Sequence, residues 1–121
     1  MENSNPKVVK TSNITCRVGL DEQSVPVKIE WKADDSPDTP DFKESKAMLM
    51  AFFDKDYRDT YKIDLWTSEL QVGEMNKFMY QTLRGLADTY FRATNNQEMA
   101  NDMQKFVQYF GEKTEVTAPQ E

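Results

Sequence analysis

Histidine is absent from this 121-residue chain, cysteine occurs once and glycine only four times. Without histidine there is no imidazole to act as a general base near neutral pH or to activate a nucleophile. One cysteine and no histidine cannot complete a structural or catalytic zinc site. The lone thiol, Cys16, has no second cysteine to pair with, so nothing indicates an oxidising compartment. Long apolar runs are lacking too. The longest, Ala47–Phe53, is far too short to cross a bilayer. Residues 1–7 are polar, lead into no signal-peptide core and hold no lipobox-like cysteine. The expectation is a cytoplasmic protein with no direct membrane insertion.

Positive charge is also in deficit. Fifteen Lys and Arg stand against twenty-one Asp and Glu, a formal net charge of −6. That balance disfavours nucleic acid and anionic lipid, which both require a basic face. A modest negative charge also serves simply to keep a small protein soluble.

Hydrophobic residues nonetheless make up 38% and aromatics 12% of the chain, enough for one core. Residues 1–11 read as a disordered lead-in, 12–113 as a single α+β domain and 114–121 as a flexible tail. From Ile14 the pattern alternates. Ile14, Cys16, Val18 and Leu20 fall on one side, Thr15, Arg17 and Gly19 on the other. A polar turn at 21–24 leads to a second alternation through Val25, Val27, Ile29 and Trp31, which predicts a β-hairpin. Pro26 lacks a ladder donor and belongs at a strand start or on an edge. Residues 34–44, with two prolines and five acids, read as a loop.

Ala47–Phe53 is apolar at every position and predicts a third strand, buried on both faces. It pairs with a fourth across a loop at 54–58. In that fourth strand Tyr61, Ile63 and Leu65 alternate with Lys62, Asp64 and Trp66. Gly73 and Glu74 open a helix whose Met75, Phe78, Met79, Thr82, Leu86 and Tyr90 recur at helical spacing. Asn95 and Asn96 stop it. Asn95, with Glu98 three residues on, has capping-box spacing and starts a second helix carrying Met99, Met103, Phe106, Val107 and Phe110. Gly111 marks its expected end.

The order ββββαα predicts an α+β two-layer sandwich, a four-stranded antiparallel sheet followed by two packed helices. The expected core is Ile14, Cys16, Val18, Val27, Ile29, Trp31, Ile63, Leu65, Phe78, Leu83, Leu86, Phe106 and Phe110. On this reading Cys16 is a small core hydrophobe.

Chemistry finds little purchase. The acids at 34, 35, 38 and 41 lack the spacing, turn glycine and distal glutamate of a calcium loop and read as a solvated connector. Tyr61, Asp64, Glu69 and Glu74 could supply an acid–base pair, but nothing in their spacing forces two carboxylates together. The expectation is no enzyme, no cofactor and no metal. Apolar surface, by contrast, is in excess. The two faces of Ala47–Phe53, with Trp66 on the wet side of the neighbouring strand, exceed what two helices cover, which suggests an interface.

The run from Lys62 through Thr67, followed by Val72-Gly73-Glu74-Met75, resembles the GldC family of gliding-motility-associated proteins. So do Tyr80-Gln81-Thr82-Leu83, Leu86-Ala87-Asp88-Thr89-Tyr90, Ala93-Thr94-Asn95, the Met- and Phe-rich segment 99–110 and the stretch 25–31. The resemblance spans about residues 12–113. It implies a small soluble protein of gliding, Bacteroidetes-type bacteria, accessory to the motility machinery, with no catalytic residues to carry over.

Two readings of function follow. In the first, the chain is a cytoplasmic interaction protein of the motility and secretion machinery, with Met50, Phe52, Tyr57 and Trp66 as candidate anchors. A variant of it is a chaperone or export adaptor similar to SecB, by element order alone. In the second, a pocket between sheet and helices, lined by Tyr61, Tyr80 or Tyr90, holds a small ligand. An exposed edge strand or over-apolar sheet face leaves a homodimer open as well.

Overall fold

A computed structural model of the chain describes residues 6–118. It contains five antiparallel strands and two helices: β1 (Ile14–Leu20), β2 (Pro26–Ala33), β3 (Lys43–Ser45), β4 (Ala47–Phe53), β5 (Thr60–Trp66), α1 (Val72–Thr94) and α2 (Gln97–Lys113). The chain divides into two compact units, Met1–Glu69 and Leu70–Glu121. The first five residues of the lead-in expected over 1–11, and residues 119–121 of the expected tail, lie outside the described residues.

In the first unit the alternation at Ile14 becomes β1 and its continuation becomes β2, with Pro26 as the first residue of the second strand. The turn between them is tied by Asp21, whose Oδ1 accepts from the backbone N–H of Gln23 at 2.8 Å and of Val25 at 3.0 Å. Register sets Cys16 opposite Trp31, Val18 opposite Ile29, and Arg17 opposite Glu30. Apolar and charged residues therefore sort onto opposite faces of the sheet. Ile29, only 1% exposed, is the best-buried large side chain. On the charged face Arg17 bonds Glu30 at 3.0 Å, while its guanidinium lies 3.7 Å from the ring centroid of Phe42.

The expected four-stranded sheet does not form. The strands make two sheets, one ordered β1-β2-β3 and the other β4-β5. The stretch 43–53 explains why. Within residues 34–44, expected as loop throughout, Lys43 and Glu44 are extended and with Ser45 form β3, which pairs with Trp31, Glu30 and Ile29. That occupies the far edge of β2. At Lys46 the chain changes partner, its carbonyl accepting from the Thr67 N–H at 2.9 Å, the first bond of the β4–β5 ladder. One stretch of chain, bent at Lys46, thus serves both sheets. Since β4 has only β5 beside it and Ala51, Phe52 and Phe53 are exposed, the expected strand buried on both faces is corrected too. Both tryptophans, Trp31 and Trp66, belong to this unit.

In the second unit α1 begins with a reciprocal cap. Gln71 N–H donates to Glu74 Oε1 at 3.0 Å, and the Gln71 side chain accepts from the third helical residue. It ends at Asn95, in the left-handed conformation at φ 58°. The cap of α2 is Asn96 rather than Asn95, with Oδ1 accepting from Met99 N–H at 3.0 Å. Asn95 is occupied closing the first helix, which displaces the second cap by one residue. The buried residues of the pair are Ala87, Ala100, Val107 and Gly111.

Gly111 does not end α2, which runs on to Lys113. It is where the ring of Tyr80 from α1 packs directly on the backbone of α2, since a Cβ there would lie 2.6 Å from Tyr80 Cε1. The expected core residues Leu86 and Phe106 are about half exposed, while the neighbouring Ala87 and Val107 are buried in their place. Ile14, Val27 and Ile63 are exposed as well.

Candidate functional site

The hairpin β4–β5 exposes Phe52, Phe53, Tyr57, Tyr61, Ile63 and Trp66, which include every exposed aromatic residue of its unit among the described residues. Its loop is fixed by Asp54. The Oδ2 of that residue accepts from Asp56 N–H at 3.0 Å and Tyr57 N–H at 2.7 Å, while Asp54 N–H donates to the Asp59 carbonyl at 2.8 Å. Arg58 completes the turn in the left-handed region, at φ 55°.

The register of this hairpin pairs Met48 with Leu65, Met50 with Ile63 and Phe52 with Tyr61. Directly opposed residues of an antiparallel pair share one face, so these six side chains form a single surface without a charge. Phe52 is 54% exposed and Tyr61 59%, while Met48, Met50 and Leu65 are half-buried. The reverse face carries Ala47 with Trp66, Leu49 with Asp64, Ala51 with Lys62 and Phe53 with Thr60. There Lys62 Nζ donates to Asp64 Oδ2 at 2.8 Å and holds that carboxyl below its ordinary pKa, first by the hydrogen bond and then by its charge.

The four anticipated anchors divide accordingly. Met50 and Phe52 share the uncharged face. Trp66, 54% exposed, lies on the reverse face, and Tyr57, 81% exposed, stands in the loop between the strands. Tyr61 and Ile63 complete the uncharged face and were missed as contact residues. The alternation of β5 puts both on its apolar side, where Ile63 is expected in the core and Tyr61 around a ligand pocket. Only the register shows them lying opposite Phe52 and Met50.

In the helical unit a cleft of about 360 Å³ opens beside Tyr80, Arg84, Gln104, Gln108 and Glu112. Of the tyrosines expected around a ligand pocket, Tyr80 lines this cleft, whereas Tyr61 lies on the hairpin. Among the described residues no group of three Cys, Asp or Glu is placed to hold a metal ion. Asp35 is another carboxyl held below its ordinary pKa, by hydrogen bonds from Ser12 and then Lys10. Both groups are exposed, so neither resembles a buried catalytic acid. No described helix is long and apolar enough to cross a membrane.

No curated protein and no solved structure matches this chain. A family model does match, that of the gliding motility-associated protein GldC-like family, over residues 26–116. The match takes in β2, both strands of the uncharged hairpin face and both helices. This chain belongs to the GldC-like family of gliding motility-associated proteins.

Proposed function

We propose that this protein is a non-enzymatic accessory factor of gliding motility that works in the cytoplasm by binding another protein. The contact surface is the uncharged face of the β4–β5 hairpin. One observation carries the reading: six side chains without a charge share that face, and Phe52 and Tyr61 keep more than half their area in solvent. Covering each of these two would contribute on the order of 1 kcal/mol, a normal increment for an interface anchor. Aromatic and methionine side chains suit the role. They bring large contact area at low entropic cost, and methionine adapts to the shape of its partner. Tyr57, in the loop beside this face, belongs to its rim, and Trp66 lies on the opposite face of the hairpin.

The test is capture from the source cell with the tagged full chain, read by mass spectrometry. Components of the motility or secretion apparatus should be enriched. The double substitution Phe52→Ser, Tyr61→Ser should lower their recovery about tenfold, while Leu86→Ser, on an exposed helix position, leaves it unchanged. Capture that survives the double substitution contradicts the reading, as does recovery no greater than from the tag alone. A broad set of unfolded clients would point instead to an export chaperone.

A further inference from the structure

The outer edge of β4 has no strand beside it among the described residues, and the strand itself carries none of the sequence devices by which proteins blunt such an edge. Its seven residues, Ala47 to Phe53, include no charge, no proline and no glycine, and its register with β5 runs without a bulge. Other free strands of this unit are protected. β1 carries Arg17 and a register shift at Gly19/Leu20, β3 is three residues long with Lys43 and Glu44, and β5 carries Lys62 and Asp64. We infer that β4 pairs antiparallel with β4 of a second copy of this chain, about a two-fold axis at Met50, to make a four-stranded sheet.

Backbone geometry supports that pairing. The bonds Thr67 N–H to Lys46 carbonyl and Asp54 N–H to Asp59 carbonyl flank the ladder. With the printed register they assign the even-numbered residues of β4 to β5, so that Ala47, Leu49, Ala51 and Phe53 direct N–H and C=O groups to the open edge. A two-fold axis at Met50 sets Ala47 against Phe53 and Leu49 against Ala51 of the second copy, satisfying all four. Each of these pairs matches a small side chain with a large one. On the other face Met48 meets Phe52 and Met50 meets its own equivalent. No charge faces a like charge across the axis, as Arg17 would if β1 paired with itself about its centre.

Residues of equal parity are opposed, so the uncharged face continues across both copies. The inference is therefore separate from the choice of motility partner: the edge is used for pairing and the face stays available.

The full chain should sediment and scatter light as a species of twice the chain mass, dissociating on dilution. Ala51→Pro removes an N–H that faces the open edge and costs no bond to β5. It should raise the dissociation constant by more than about a hundredfold, and Ala51→Lys should do the same. In a Cys16→Ala background, Met50→Cys places two thiols across the axis in a pair whose Cα atoms lie about 4.5 Å apart, within disulfide reach. Mild oxidation with diamide should give a covalent dimer, and Gln23→Cys, in the β1–β2 turn, should not. If Ala51→Pro fails to fold by circular dichroism, Ala51→Lys and the Met50→Cys crosslink decide. A chain of single mass at every concentration overturns the inference. So does a dimer that survives both Ala51 substitutions, or crosslinking no faster at residue 50 than at residue 23.

Discussion

Lys62 and Asp64 stand two apart on one face of β5, joined at 2.8 Å, and the consequence is local and titratable. The lysine holds the Asp64 carboxyl below its ordinary pKa. Such a group contributes its stability in full above the ordinary carboxylate value, about pH 4, and loses it as pH falls through the lowered folded value. Lys62→Met should raise the Asp64 pKa toward that of an unperturbed aspartate, as followed by carboxyl NMR shifts. Asp35, whose bonds come from Ser12 and Lys10, should not move in the same variant. Because Asp64 is exposed, the change in overall stability should be small. A pKa for Asp64 that is unaltered by the substitution would mean that the lysine is not its partner in solution.

Among the elements, α1 and α2 meet under a tight constraint where the Tyr80 ring lies on Gly111. An added methyl there would lie 2.6 Å from Tyr80 Cε1 and 2.9 Å from Cδ1, so the ring must shift or the helices part. Gly111→Ala should destabilise the helical pair by about 1–3 kcal/mol, lowering the melting midpoint followed at 222 nm, and Tyr80→Leu should restore part of the loss. An unchanged midpoint would show that the ring yields without cost. This glycine also marks where sequence was a poor guide. Glycine after an amphipathic run is the ordinary signature of a helix end, and only the neighbouring helix reveals it as an internal contact. By contrast, β1, β2 and β5 were legible, because alternation over seven or eight residues is a strong signal, and β4 was legible as a short apolar run bounded by polar segments. β3 was not, since Lys43, Glu44 and Ser45 carry no pattern and are extended only because β2 offers them an edge. The uncharged hairpin face was half legible. Met50 and Phe52 stood out by type, but their partners Tyr61 and Ile63 depend on a register that the Asp54 turn fixes.

For the molecule in its cell, membership of a gliding motility-associated family and an acidic balance of −6 bear on the same question. On the proposed reading, a net negative charge leaves apolar contact as the stronger source of affinity. Returned to a gliding strain that lacks the protein, the intact chain should restore colony spreading and so should Lys62→Met, whereas Phe52→Ser with Tyr61→Ser should not. Spreading restored by the double variant at normal protein levels would remove the hairpin face from the mechanism. The placement of the two tryptophans has a practical consequence. Trp31 and Trp66 both sit among the strands, and neither helix contains one. Intrinsic fluorescence is therefore a label-free channel for the β-rich half, and far-ultraviolet dichroism is dominated by the helical half. The two optical signals, recorded on one sample, can time events in each half separately.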